Sequence, residues 1–466
     1  MTSDKARVRQ LLKRRIRWSL ADLWEDAVLF AVLGPVPRNA AKALAWYEKA
    51  AARGSAQAQY RLAWMYRNGD GVPQDETLAA FWCRKASDQH YALAEYGLGW
   101  MNQNGWGVPQ DDAEAARYYR LAGERGNAAA LYALAWMIEN GRAGPVDDGE
   151  VVSLLRISAK MRDTDAQFVM GERCATGRGV PRDDHQAVMW YRRAAKKGNA
   201  RAQCNLGFMY VKGLGVERND AAAVELYDKA ARQGDALAQC NLAVMYKNGR
   251  GVPKDDSEAE KWCRKAAEQG DARAMHCLGW ELAQGCGRSP VPAEALYWYL
   301  KSAELGRPEA QFELSCMYAT GDGVGSNQSE AIKWLRAAAD KGHAEAQYNL
   351  AWRYAHGDGV ELDDPEALLW LQKSAAQGES RALSALGMRY AKGQGVPTDY
   401  ALAYMWSDLA ISQFTPEEAD LRSAAERNRA YAASNMTPAQ VAEAQLGARR
   451  WLQENPFKAS SPNPLG

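Results

Sequence analysis

One pattern of apolar and polar positions returns along this chain every 36 residues. The phrases LAWMYRNGDGVPQD at 62–75, LGFMYVKGLGVERN at 206–219, LAVMYKNGRGVPKD at 242–255 and LAWRYAHGDGVELD at 350–363 start one period or whole multiples of it apart. With Ala56 as position 1, ten units run without a gap: 56–91, 92–127, 128–163, 164–199, 200–235, 236–271, 272–307, 308–343, 344–379 and 380–415. Apolar residues at positions 1, 3, 7 and 11 (Ala56, Ala58, Leu62, Tyr66) form one helical stripe. Position 8 is small throughout, from Ala63 and Gly99 to Ala351 and Gly387, which lets a neighbouring helix approach closely. Gly at position 14, as in Gly69, Gly105 and Gly249, predicts a left-handed C-cap. Position 16 is usually a second Gly.

Asp at position 20 (Asp75, Asp111, Asp147, Asp183, Asp255, Asp363, Asp399) predicts the N-cap of a second helix. Glu three residues later, at Glu114 and Glu258, predicts capping boxes. The second helix carries Ala at position 24, Trp at 27 and Ala at 31. Its Trp column, Trp46, Trp82, Trp190, Trp262, Trp298, Trp334, Trp370 and Trp406, reads as packing and accounts for much of the 17 tryptophans.

The ends follow the frame less closely. Residues 1–19 predict a basic helix, with Lys5, Arg7, Arg9, Lys13, Arg14, Arg15 and Arg17. That run reads either as a solvated helix or as a contact for an acidic partner or membrane surface. Residues 20–55, with Ala43, Trp46, Ala50 and Gly54 in register, predict an atypical capping repeat. The repeats proper span 56–415. Residues 416–455 predict two capping helices, the second opened by Thr437, Pro438 and Gln440, and 456–466 a disordered tail. Two loops depart from the pattern. GRAGPVDDGE at 141–150 is followed by Leu154 in the Trp column, and GCGRSPVPA at 285–293 has Arg288 for Val and Val291 for Asp. They read as tolerated drift or as a bend or contact loop.

The unit A-x-A-Q-x-x-L-G-x-x-Y-x-x-G-x-G-V-x-x-D, followed by A-x-x-W-x-x-x-A-A-x-x-G, resembles the Sel1-like repeat family, relatives of tetratricopeptide repeats with a longer turn between the helices. The resemblance covers about 40–453. It implies an all-α, right-handed superhelical solenoid of about eleven helix-turn-helix units, closed by capping helices. It also implies an adaptor or scaffold that binds another protein or peptide, a signalling or envelope component being one kind of partner. Some members look like immunity partners of secreted bacterial toxins, which gives a second function. Others have been linked to penicillin binding and β-lactamase activity, and an enzyme of that type is the rival from a different class.

In stacked helix pairs the first helices line the concave face, and their positions outside the core contact ligand. Position 5 carries Tyr60, Tyr96 and Tyr132, and position 9, one turn on, carries Trp64, Trp100 and Trp136, then Trp280 and Trp352 further along. Asn68, Asn104 and Asn140 at position 13 offer hydrogen bonds to a partner backbone, and Arg67 a carboxylate contact. The row reads either as a binding surface centred on 60–140 or as packing between units.

Charge and motifs narrow the function. Lys plus Arg is 58 against 57 Asp plus Glu, a balance that argues against nucleic acid as the partner. The eight cysteines show no C-x-x-C pair or recurring spacing, and the five histidines do not cluster with them, so neither a disulfide framework nor a zinc site is expected. No apolar run is long enough for a transmembrane segment, and the compartment expected is the cytoplasm. The sequence lacks G-x-x-x-x-G-K-[ST], H-E-x-x-H, G-x-S-x-G and S-x-x-K. We therefore expect a non-catalytic protein with no cofactor and no metal.

Overall fold

The computed structural model describes residues 40–285 and 289–455. The expectations for 1–19, for 20–39, for the tail 456–466 and for Arg288 lie outside these residues. The described residues are helices and short connections with no strand. The contacts divide the chain into an N-terminal half ending at Gln233 and a C-terminal half starting at Gly234. Within each half, helix pairs stack in chain order.

The repeat at 56–91 shows how the local code works. Its first helix, Ala56–Asn68, buries Ala58 and Leu62 and stops at Gly69, whose φ of 74° is open to a residue without Cβ. Its second helix, Glu76–Asp88, starts at Asp75, which accepts a hydrogen bond from the Leu78 amide at 2.8 Å. Asp111, Asp147, Asp183, Asp255, Asp363 and Asp399 cap their helices in the same way. Val291 occupies this position without a cap bond and is followed by Pro292 at the first helical turn. The second Gly of the loop has a different reason. A Cβ on Gly107 would lie 2.0 Å from the Glu76 carbonyl oxygen, so the loop seats directly on the preceding repeat.

The capping boxes expected at Asp111/Glu114 and Asp255/Glu258 do not form. A box needs a free amide on the N-cap residue. The Asp111 amide already donates to the Asn102 carbonyl at 2.9 Å, and the Asp255 amide to Tyr246 at 3.1 Å. Glu114 therefore turns to Arg117 (2.8 Å) and Glu258 to Lys261 (2.7 Å). A box does form at Thr437, with Gln440, where helix Pro438–Glu454 begins. That helix and Ala419–Ser434 pack on the last repeat through Trp451 against Trp406 (5.4 Å) and an Arg429–Asp408 ion pair (2.6 Å).

Two pairs of positions co-vary inside the repeat. The first is 8 with 28. Where position 8 is Gly, position 28 is Tyr: Gly99/Tyr119, Gly171/Tyr191, Gly207/Tyr227 and Gly279/Tyr299. A Cβ on any of these glycines would fall 2.6–2.8 Å from the facing ring. Where position 8 is Ala or Ser, position 28 is shorter: Ala63/Cys83, Ala135/Leu155, Ala243/Cys263, Ser315/Leu335 and Ala351/Leu371. Volume is exchanged across the helix pair at constant packing. Gly387 faces Ser407 instead, and a Cβ there would approach the Ala403 carbonyl at 3.2 Å.

The second pair is 4 with 34. Buried Gln59, Gln203 and Gln347 each donate an amide N–H to a carbonyl of the preceding repeat, at Ala51, Ala195 and Ala339. Their amide oxygens accept from Gln89, Gln233 and Gln377 at 2.8 Å. In the next repeat the pair becomes Glu95/Arg125, an ion pair at 3.0 Å, and then Leu131/Met161. Gln167 and Gln311 face Lys197 and Lys341, which cannot supply that amide, and both their oxygens are buried without a partner. Lys341→Gln is therefore expected to raise stability by about 0.5–1.5 kcal/mol, measured by urea unfolding, because it satisfies a buried acceptor. An unchanged midpoint counts against this account of the pair.

Candidate functional site

The aromatic row of the first repeats is not uniform. Its first two members close around a cavity, and Arg67 sits at its edge. Tyr60 and Trp64 project from Ala56–Asn68, one turn apart, with ring centroids 6.5 Å apart and planes at 80°. Tyr96 and Trp100 project from Ala92–Asn104 in the same way. Between them lies a space of about 220 Å³ lined by Tyr60, Trp64, Arg67, Tyr96, Trp100 and Met101, with Cys83 and Gly97 also bordering it.

Two small side chains make this space. Gly97 is the single glycine at position 6 among the ten repeats, and a Cβ there would come within 3.0 Å of the Cys83 sulfur. Cys83 stands at position 28, where seven of the ten repeats place the larger Tyr or Leu. Its thiol donates to the Ala94 carbonyl at 3.3 Å, and burial pushes its pKa up to about 12. The thiol is thus protonated and unreactive at neutral pH. Burial also raises the Tyr60 phenol, with a Trp64 hydrogen bond opposing it, and likewise raises the Tyr96 phenol.

Arg67 is held by rings. Its guanidinium carbon lies 4.1 Å from the Trp100 centroid, 4.8 Å from Trp64 and 5.3 Å from Trp106. Trp100 and Trp106 meet edge to face at 4.5 Å. Three indoles thus surround the half-buried guanidinium. No acceptor among the described residues pairs with it. No carboxylate lines the cavity.

The remaining candidate residues are placed differently. Asn104 and Asn140 donate their amide N–H to the Trp100 and Trp136 carbonyls of their own helices, at 2.8 and 2.7 Å. Position 13 thus serves the helix C-terminus, as His356 does by bonding the Trp352 carbonyl at 2.8 Å. Asn68 is exposed at the end of its helix. Trp136 is 40% exposed, with Arg142 5.8 Å above its ring, and Tyr132 is half-buried. In the C-terminal half, Trp280 lies under Lys247 at 5.5 Å, and the exposed Trp352 stacks on His356 at 4.4 Å.

Trp106, Cys83 and Gly97 are absent from the candidates that the helical positions supply. Trp106 is the single aromatic residue at position 15, between the two loop glycines, so the exception is visible once that column is compared. The cavity itself depends on missing atoms at positions 6 and 28, which a search for contact residues passes over.

The family model described as Sel1 repeat matches residues 32–55, 56–91, 92–127, 128–162, 164–199, 200–235, 236–271, 272–306, 308–343, 344–379 and 380–413. Among solved structures, the chain is similar to a protective antigen of uropathogenic Escherichia coli displaying an SLR fold, with 34% identity over 90% of this chain and 98% of that one and a TM-score of 0.59. It is also similar to a Sel1 repeat protein from Oxalobacter formigenes, with 32% identity over 65% of this chain and 89% of that one and a TM-score of 0.53. An immunity protein from Pseudomonas aeruginosa aligns at 25% identity over 50% of this chain and 81% of that one, with a TM-score of 0.31. No curated protein matches the chain. No helix among the described residues is long and apolar enough to cross a membrane.

Proposed function

The chain belongs to the Sel1 repeat family, and on that premise we propose that it is a non-catalytic scaffold that binds a partner protein through the aromatic side of its first helices. Sel1 repeat proteins generally mediate protein–protein interaction. The observation that carries the reading here is the cavity between Tyr60, Trp64, Tyr96 and Trp100, with an unpaired cation at its edge. A pocket that buries an anchor side chain, ringed by Trp, Tyr and Arg, is the usual composition of a binding hot spot. The Tyr/Trp pair at Tyr132 and Trp136 extends the same pattern by one repeat.

The test is capture of the partner by the immobilised full chain, identified by mass spectrometry, followed by binding to the purified partner. The triple variant Trp64→Ala, Trp100→Ala, Trp136→Ala is expected to weaken binding at least tenfold, a loss of about 1.4 kcal/mol, while helix content by circular dichroism is retained. Equal binding by the folded triple variant would overturn the proposal. The identity of the captured protein separates an adaptor from a neutralising partner of a toxic effector.

A further inference from the structure

We propose that the cavity between Ala56–Asn68 and Ala92–Asn104 receives one apolar side chain, of Leu or Phe size, from an acidic partner segment, and that Arg67 pairs with the carboxylate of an Asp or Glu beside it. The inference rests on the scaffold reading above and names the chemistry of the occupant.

Size sets the first half of the claim. An engineered apolar cavity of about 150 Å³ holds a benzene molecule. At about 220 Å³, this one has room for a single ring or branched aliphatic group. Its walls are aromatic and aliphatic, and its one thiol is protonated and already bonded to Ala94.

Charge sets the second half. The two helices that flank the cavity carry Arg61 and Arg67 but a single acid, Glu95. Glu95 is buried and bound to Arg125 at 3.0 Å, so it is not available to Arg67. The comparison with Lys247 is direct, since it is the other cation at position 12 and also lies over the position-9 Trp of the next repeat. Lys247 is neutralised inside the fold by Asp256 at 3.1 Å and Glu281 at 3.8 Å. The residue in the place of Glu281 is Met101, and Glu76, in the place of Asp256, makes no ion pair with Arg67. Other cations of the first helices also have internal acids: Arg173 binds Glu139, Arg353 binds Asp358 and Arg389 binds Asp364. Arg67 has indoles where these have carboxylates.

The indoles supply no carboxylate or carbonyl acceptor, so the N–H groups, which lie in the guanidinium plane, keep their hydrogen-bonding capacity. A carboxylate arriving in that plane makes charge-assisted bonds to the cation. A free phosphate or similar small anion is a poor match, since it would leave the apolar cavity empty. The complementary ligand carries both features within a few ångströms of each other, which an apolar residue flanked by Asp or Glu does.

The probes are three heptapeptides, acetylated and amidated: Gly-Ser-Asp-Phe-Glu-Ser-Gly, its amide form Gly-Ser-Asn-Phe-Gln-Ser-Gly, and Gly-Ser-Asp-Ala-Glu-Ser-Gly. Each is titrated into the full chain while the indole N–H signals are followed by NMR. The acidic Phe peptide is expected to bind at least tenfold tighter than either of the others. Arg67→Met, which keeps an apolar stem over the indoles, is expected to bring the acidic and amide peptides to the same affinity. Cys83→Leu is expected to remove the preference for Phe over Ala by filling the cavity. That variant recreates the Ala135/Leu155 and Ala351/Leu371 combination opposite Ala63, so it folds on a pairing the chain already uses. Equal binding of acidic and amide peptides, a preference that survives Arg67→Met, or no binding by any of the three overturns the inference. If that happens while the Trp triple variant still loses its partner, the scaffold reading stands and only the occupant is wrong. If the triple variant also binds normally, both fall.

Discussion

Gly171→Ala is expected to destabilise the protein by about 1–3 kcal/mol, although alanine is the better helix former. The added methyl group would stand 2.6 Å from two ring carbons of Tyr191, inside a pair of helices with no slack. Tyr191 is buried, and its ring lies 6.0 Å from Phe168, so it has no free volume into which to retreat. Tyr191→Leu alone is expected to cost about 2 kcal/mol, because it opens a void opposite a residue with no side chain. The double variant Gly171→Ala, Tyr191→Leu is expected to return to within about 1 kcal/mol of the parent, since each change fills the defect left by the other. It is the combination found at Ala135/Leu155 and Ala351/Leu371. Urea unfolding of all four proteins reads the coupling. Additive single costs would show that the two positions tolerate change independently and that the exchange of volume is accidental.

The cycle also marks how far the sequence was legible. The 36-residue period, the helix stops at Gly69 and its equivalents, and the Asp caps were readable because each depends on neighbours a few residues away. The small residue at position 8 was readable as a close approach, but its partner at position 28 was not, because that pairing crosses from one helix to the other. The capping boxes at Asp111 and Asp255 fail for the same reason. Their amides are occupied by carbonyls on the preceding helix, at Asn102 and Tyr246, which no local motif reveals.

The site divides along the same line. Tyr60, Trp64, Arg67, Tyr96 and Trp100 were picked out by helical spacing, and the fold gathers them around one cavity. What spacing did not supply is why the cavity lies there. It requires Gly97 and Cys83 to be small together, and Trp106 to reach back from a loop onto Arg67. The Asn residues at position 13 show the converse. Their column is regular because helix C-termini need donors and acceptors, and Asn104 and Asn140 meet that need within their own helices.

The strongest dependence of stability on pH is expected at His276. It occupies position 5, where Phe168 and Phe312 stand in other repeats, and its ring lies 5.7 Å from Tyr299 at 45°. Phe168 meets Tyr191 at 6.0 Å and 39°, nearly the same arrangement. Both ring nitrogens of His276 are buried without a hydrogen-bond partner. Burial, helped by the nearby charge of Arg307, lowers its pKa to about 4, while Glu309 opposes the shift. An unfolded histidine titrates near about 6.5. Between these values the unfolded chain takes up a proton that the folded chain refuses, so stability falls as pH drops through that window and is fully present above it. The loss is about 2 kcal/mol at pH 5 and about 3 kcal/mol at pH 4. His276→Phe removes this contribution and also the two orphaned nitrogens. It is expected to be somewhat more stable than the parent at pH 7.5, with a margin that widens by those amounts on acidification. His343, whose pKa burial also lowers, titrates in both proteins, and its charge adds to the lowering at His276. Urea unfolding of the two proteins at pH 7.5, 5 and 4 measures the margin. Parallel pH profiles would mean that His276 accepts its proton in the folded state without penalty, and would remove the buried neutral imidazole from this account of the core.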